Sequence, residues 1–334
     1  MGPSTLSSWA LLIARALAAR GIEAESVFRR AGIAPDRLQD PNARYPLAGM
    51  QRLWALATEV TGDACLGLDV GRSWHPTTFH ALGYCALASA SLHEALLYLV
   101  RYCKVVSTGA RVDLGRRGSE IAVRIIPRLK ELAIGAPLVP ASVEAGLVAL
   151  AVLCRETRGD SLAIRRVTFA HRDAACRAGL QHFFGCRVIF GARENALLLR
   201  AADVDAALPT GNPALARINE ELVADYQAHL ESADLAERVR SQLMRLLPTG
   251  HAGQATVAKS LHLSLRSLQR KLRDQGSSFR ELLDETRRRL AGQYGKDSTL
   301  SGSEVAYLLG FSDPSSLARA ARRWSGRAPL HLQE

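Results

Sequence analysis

The chain has 334 residues, 48% of them hydrophobic and 22% charged, with a net charge of +11. That composition supplies a packed core and excludes a disordered or low-complexity polymer, and the length predicts about two domains. From Leu235 onward 17 Lys and Arg face 9 Asp and Glu, so 8 of the 11 net positive charges lie there. Codon bias accounts for Arg outnumbering Lys but not for this asymmetry, which points to a polyanion-binding module on a nearly neutral body.

From Leu6 to about Arg20 the apolar residues recur at helical spacing, and Gly21 follows. Arg15 interrupts the run and no small-residue cleavage site follows, which argues against a signal peptide. "SVFRRAGIAPDRL" reads as a short helix, a glycine turn and a second helix start. "PLAGMQRLWALATEVTG" predicts a helix that stops at Gly62, and Ser91 to Gly109 another, opened by a capping box of Ser91 and Glu94. "ARVDLGRRGSEIAVRIIP", "RRVTFAH", "CRVIFG" and "NALLLR" then alternate and carry β-branched residues, which predicts a small antiparallel sheet. "PASVEAGLVALAVLCRET" between them returns to helix. Its run "AGLVALAVLC" is about half of the ~20 residues that a membrane helix needs, so a cytoplasmic protein is expected. The six cysteines form no C-x-x-C pair and mostly sit beside apolar residues, so reduced, buried thiols are expected and a zinc ribbon is not.

"LPTGNP" is a break, after which the chain is helical throughout. The expected organisation is an α+β domain over 1–210, a linker helix over 211–232 and an all-α domain over 233–334. Within the last, "LSLRSLQRKLRDQG" has an N-cap at Ser264 and a terminator at Gly276. Leu265, Leu268 and Leu272 make an apolar stripe, while Arg266, Gln269, Arg270 and Arg273 share another side. Such a face is either solvated or made for a nucleic-acid groove, and an internal echo decides between the two. Val257-Ala258, Leu261, Leu263 and Ser264 match Val305-Ala306, Leu309, Phe311 and Ser312. After a short insertion, Leu268, Arg270, Arg273 and Gly276 match Leu317, Arg319, Arg322 and Gly326. Each copy is a short apolar helix, a tight turn and a basic helix, which is a helix-turn-helix.

The stretches "VAKSLHLSLRSLQRKLRDQGSSFRELLDETRRRLA" and "SEVAYLLGFSDPSSLARAARRWSGRAP" closely resemble the DNA-binding domain of AraC-type transcriptional regulators, two helix-turn-helix units joined by a long helix. Upstream, "ALAARGIEAESVFRRAGI", "DPNARYPLAGMQRLWALATEVTGDACLGLDVG", "LGYCALASASLHEALLYLVRYCKVVS" and "HFFGCRVIFGARENALLL" are similar to the arabinose-binding-type sensor domain of the subgroup that includes regulators of ornithine use and of virulence. Together the resemblances span nearly the whole chain. They imply base reading by Arg266, Gln269 and Arg270 in the first unit and by Ser315, Ala318 and Arg319 in the second. Ser267, Lys271, Arg273, Ser316 and Arg322 would meet phosphates, which position the protein without reading sequence. The resemblance also implies a small-molecule effector (an amino acid or a fatty-acid-like molecule), contact with RNA polymerase, a homodimer and activation of a neighbouring operon. The sequence departs from the family pattern at Ala321, where an aromatic is usual, and in its ending "APLHLQE".

No catalytic signature emerges: there is no P-loop, no G-x-S-x-G elbow and no H-E-x-x-H. His75 and His80 lack a nearby cysteine or carboxylate at ligand spacing, so neither a metal nor a cofactor is expected. His171 and Cys176 would make a base and nucleophile only with a third, orienting group. His80, Tyr84 and Tyr102 are apolar-flanked polar residues that suit either an effector site or an ordinary core. The expected function is sequence-specific transcriptional regulation. The alternatives are a ligand-independent constitutive regulator and a structural DNA-binding protein that recognises charge alone.

Overall fold

The structure, a computed structural model, describes residues 3–129, 134, 138–160, 162–172, 175–294 and 300–325. It divides into two compact units, Pro3–Gln227 and a second from Ala228 onward.

In the first unit β1 (Ser4–Leu6) leads into α1 (Ser7–Ala18) and α2 (Ala24–Ala31), and β2 (Arg44–Pro46) pairs antiparallel with β1. Then come α3 (Leu47–Thr61), α4 (Leu66–Arg72), α5 (Ala81–Leu87) and α6 (Leu92–Val106). α3 buries Leu47, Met50, Leu53, Trp54 and Ala57 along one face and ends at Gly62, whose φ of 59° suits a residue without a Cβ. At the head of α6, Ser91 Oγ accepts from the Glu94 N–H at 3.2 Å, as the capping box predicts. The Glu94 carboxylate reaches back one residue further than expected, to the Ala90 N–H at 2.6 Å.

The main sheet uses β3 (Ala110–Arg117), β4 (Glu120–Pro127), β5 (Ile164–Thr168), β6 (Arg187–Ile189) and β7 (Asn195–Arg200) in the order β3-β4-β7-β5-β6. "NALLLR" forms the central strand, and its uninterrupted apolar run fits the burial of Ala196 to Leu199 on both faces. The sheet is antiparallel except where β6 runs parallel to β5, because α8 (Arg177–Phe184) lies between these strands and returns the chain in the same direction. α7 (Pro140–Arg158) crosses close to α4, at positions where Gly67 and Gly71 carry no side chain. A Cβ at Gly67 would lie 2.6 Å from the Ala141 carbonyl oxygen, and one at Gly71 2.6 Å from Val148 Cβ. After α9 (Ala201–Asp205), α10 (Pro213–Leu246) is one continuous helix that covers all but the first two residues of the expected linker region and all but the last residue of the segment "DLAERVRSQLMRLL". Its first half belongs to the first unit: Ala216 and Val223 are buried, and Glu220 accepts from Tyr102 Oη at 2.9 Å and pairs with Arg101.

One cysteine expectation is overturned. Cys65 and Cys176 form a disulfide that joins the starts of α4 and α8. The two residues are 111 apart in sequence, so nothing local signals the pairing. The other four cysteines are free thiols. Burial pushes Cys85 and Cys154 up to about 12 and Cys103 up to about 11, so all three remain protonated at neutral pH. Cys176 is therefore no nucleophile, and His171 instead lies 3.0 Å from the buried Glu144 carboxylate. Among the described residues no cluster of His, Cys, Asp and Glu could hold a metal ion, and no helix is long and apolar enough to cross a membrane.

The second unit is helical among its described residues. After the end of α10 come α11 (Gln254–Ser260), α12 (Leu265–Asp274), α13 (Phe279–Tyr294), α14 (Gly302–Leu308) and α15 (Pro314–Ser325). It has two small cores. One gathers Leu235, Val239, Leu243, Val257, Leu261, Leu268, Leu272 and Leu282. The other gathers Leu247, Leu290, Val305, Ala306, Leu309 and Leu317. α13 serves both through one buried stripe, Leu282, Thr286 and Leu290.

Candidate nucleic-acid interface

The sequence echo is an echo of backbone. In the first copy α11 ends at Leu261, His262 takes a φ of 56°, and the Leu263 N–H returns to the Ala258 carbonyl at 2.9 Å. In the second, α14 ends at Leu309, Gly310 takes a φ of 66°, and the Phe311 N–H returns to the Ala306 carbonyl at 2.9 Å. Both turns thus close with a left-handed residue at the same position and with the same hydrogen bond. Ala258 and Ala306, 1% and 2% exposed, are small residues buried in the two cores.

The copies separate one residue later. Ser264 caps α12, accepting from the Ser267 N–H at 3.1 Å. The matching Ser312 does not cap α15. Asp313 does, accepting from the Ser316 N–H at 2.8 Å and from Ser316 Oγ at 2.7 Å. The inserted residue therefore lies between turn and cap, and a carboxylate reaches the helix N-terminus better than the hydroxyl it displaces. Downstream of the caps the helices align without a gap, Arg266 with Ser315, Gln269 with Ala318, Arg270 with Arg319, and Leu272 with Ala321.

α12 buries Leu268 and Leu272 on the core, but Leu265 is 42% exposed, because the first turn projects beyond the small core. Arg266, Gln269, Arg270, Lys271 and Arg273 are exposed. Gln269 Nε2 donates to Gln254 Oε1 at 3.3 Å, which ties it to the start of α11. Arg266, Arg270, Lys271 and Arg273 make no ion pair with any described residue, unlike Arg20, Arg124 and Arg240, which are each matched to carboxylates. Four unmatched cations on one short exposed helix, with a capped N-terminus beside them, make a surface for a polyanion. On α15 Ser315, Arg319 and Arg322 are exposed, while Ala318 and Ser316 are half-buried. Arg319 Nη2 donates to Ser316 Oγ at 3.0 Å, and Arg323 lies 3.9 Å from Asp284. The hydrogen bond from Ser316 holds the Asp313 carboxyl below the usual carboxylate range, so a fixed negative charge stands at the head of the second helix where the first has a neutral serine.

Ala321 is 5% exposed, and the partly buried rings of Phe311 and Trp324, 6.4 Å apart, pack against the core of Leu309 and Leu317. Arg287 of α13 lies over Phe311, 4.2 Å from the ring centroid, and donates to the Leu309 and Gly310 carbonyls at 2.9 and 2.7 Å. Gly326 and "APLHLQE" lie outside the described residues.

The first unit holds a cavity of about 170 Å³ between α1, α3, α6, β3, β4 and α7. Of the polar candidates read from sequence, none lines it. His80 faces the Tyr226 ring at 6.4 Å, Tyr84 is 42% exposed, and Tyr102 is held by Glu220. Gln51 does line it, the polar interruption in the apolar stripe of α3, and that interruption is the signal sequence reasoning missed.

Two helix-turn-helix units with matched turns and exposed basic second helices define a DNA-binding protein of the tandem helix-turn-helix class. Residues 21–208 match the family described as the arabinose-binding domain of AraC transcription regulator, N-term, and residues 257–334 match a helix-turn-helix domain family. The chain belongs to the AraC family of transcription regulators, and it is a sequence-specific DNA-binding regulator. The ornithine utilization regulator of Pseudomonas aeruginosa is 29% identical to it over 321 residues, which cover 94% of this chain and 91% of the relative. The HTH-type transcriptional regulator VirS of Mycobacterium tuberculosis is 27% identical over 301 residues, 90% of this chain and 88% of the relative. A crystal structure of the transcriptional regulator CdpR from Pseudomonas aeruginosa is 21% identical, covers 95% of each chain and has a TM-score of 0.47.

Proposed function

We propose that Arg266, Gln269 and Arg270 read base edges in one major-groove segment and Ser315, Ala318 and Arg319 read the next, about one helical turn away on the same DNA face. Arg is suited to guanine O6/N7 and Gln to adenine N6/N7, each worth roughly 1–3 kcal/mol of discrimination. Ser267, Lys271, Arg273, Ser316 and Arg322 contact phosphates. The observation that carries this reading is the set of exposed, unmatched cations on α12 beside Gln269, a residue that charge-only binding has no use for. With shorter side chains and Asp313 at its head, α15 reads less sequence than α12.

The unit ending near Gln227 senses a small-molecule effector in the cytoplasm, and ligand binding biases the population between DNA-competent and incompetent states through different affinities for the two. The chain is a homodimer, supported by the exposed stripe of Leu215, Ile218 and Leu222 on α10, 47%, 51% and 57% exposed. It activates a neighbouring operon by contact with RNA polymerase and is not an enzyme.

Selection of bound duplexes from a random pool, with the wild-type chain and with Arg266→Ala, tests the reading. Two short blocks about ten base pairs apart, with one degraded in the variant, is the expected result. Binding without a recovered motif, with one salt slope for all sequences, would overturn it.

A further inference from the structure

The cavity in the first unit lies where that unit's two apolar cores meet, with Trp9 packed against both. Trp9, Trp54, Phe79, Leu99, Val112 and Leu150 supply much of its wall. No described lining residue is charged: its polar members are Thr5, Gln51, Cys103, Ser107 and Ser142. Thr5 and Ser142 spend their hydroxyl protons on the backbone carbonyls of Val106 and Val139, at 3.0 and 2.7 Å. Cys103, its thiol raised by burial, stays neutral.

Gln51 differs from Thr5, Ser142 and Cys103. Its Oε1 accepts from the Val139 N–H at 2.9 Å, which fixes the orientation of the amide. Its Nε2 makes no hydrogen bond among the described residues, although the residue is only 8% exposed. An amide donor with no protein acceptor is free to pair with a ligand, and an acceptor atom in the cavity would complete its hydrogen bonding. The volume is close to that of an engineered apolar cavity of about 150 Å³ that accepts benzene, so the space suits one six-membered ring with a small substituent.

We propose that this cavity binds an uncharged, ring-sized molecule whose carbonyl-type oxygen accepts from Gln51 Nε2, and that this class of compound is the effector. The inference rests on the effector-responsive reading above and narrows it. A free amino acid carries two charges and a fatty acid one, and the described lining residues offer no counter-ion to either.

Benzamide and benzoate have nearly the same shape and differ in charge, which makes them the probes, with toluene and L-ornithine as companions. Binding to the full chain is followed by the fluorescence of Trp9 and Trp54 and by calorimetry. Benzamide is expected to bind saturably, and benzoate and ornithine at least tenfold more weakly. Gln51→Leu should weaken benzamide about tenfold and leave toluene unchanged, the toluene result proving the variant folded. Val112→Phe should abolish binding of both. Benzoate or ornithine binding as tightly as benzamide, no binding of any probe, or benzamide binding indifferent to both variants would each overturn the proposal. Affinity for the selected duplex separates the two readings. If benzamide behaves as expected but leaves duplex affinity unchanged at saturation, the ligand class stands and effector responsiveness fails. If ornithine shifts duplex affinity while benzamide stays out of the cavity, responsiveness stands and the ligand class fails.

Discussion

Replacing Arg287 with methionine keeps the length of the side chain and removes its fork, and the consequences can be worked through from the contacts. The guanidinium donates to the Leu309 and Gly310 carbonyls at 2.9 and 2.7 Å and lies 4.2 Å from the centre of Phe311. Those carbonyls close the C-terminal end of α14, where a cation also meets the negative end of the helix dipole. Each charge-assisted hydrogen bond is worth about 1.5–3 kcal/mol, and the ring contact adds about 0.5–1 kcal/mol. Burial of the guanidinium, which lowers its pKa, offsets part of this. A net loss of about 2–4 kcal/mol remains, a large fraction of what a core as small as that around Leu309 and Leu317 supplies. Amide hydrogen exchange in peptides from 302–325 should accelerate about 30- to 900-fold, with little change in 254–274. Unchanged exchange in 302–325, or equal acceleration in both halves, would refute the reasoning. Arg287→Lys keeps the charge without the fork and should fall between the two.

Three further outcomes are expected. Gly310→Ala should cost about 1–2 kcal/mol in denaturant unfolding, since its φ is left-handed and a new Cβ would meet the Leu247 carbonyl at 3.1 Å, while His262→Gly at the equivalent turn should be neutral or stabilising. The hydrogen bond from Arg20 holds the Asp63 carboxyl below the usual carboxylate range. Its stabilising contribution is therefore complete above a pH of about 4 and lost as pH falls through the lower folded-state value, and Arg20→Met should flatten the acid limb of the first unit's unfolding curve. Dithiothreitol should lower the unfolding midpoint of the first unit, because a closed loop of about a hundred residues contributes roughly 4–5 kcal/mol in the chain-entropy account. Cys65→Ser should reproduce that loss and remove the sensitivity to reductant; a midpoint indifferent to both would show that the bond contributes nothing.

What could be read in advance was what the chain encodes over a few residues. The caps at Ser91 and Ser264, the stop at Gly62 and the repeated Val-Ala pairs are local signals, and each forms as read. "NALLLR" announced its strand, though its central position follows only from pairing on both sides. The features that escaped depend on distant segments. β1 and β2 are three-residue strands, too short for a periodic signal of their own, and Cys65 meets Cys176 across much of the first unit. Asp313 displaced Ser312 as cap because a one-residue insertion has no signature when both neighbours are good capping residues. The cavity draws its walls from at least seven elements, so only Gln51, a polar break in an apolar stripe, left a trace in the sequence.

Because Leu282 and Leu290 serve different cores, α13 is a gauge as well as a connector. Each inserted residue would turn its far end by about 100° and advance it by about 1.5 Å. Seven would nearly restore the facing of the stripe while lengthening the helix by about 10 Å. A duplex advanced by the same 10 Å has turned by roughly a third of its ~34 Å repeat, so on the proposed reading the second helix would arrive over backbone instead of groove. Short insertions therefore satisfy either the protein's period or the duplex's, but not both. On the proposed two-block reading, new targets would come from exchanging side chains on α12 and α15, while the distance between the two blocks would stay fixed.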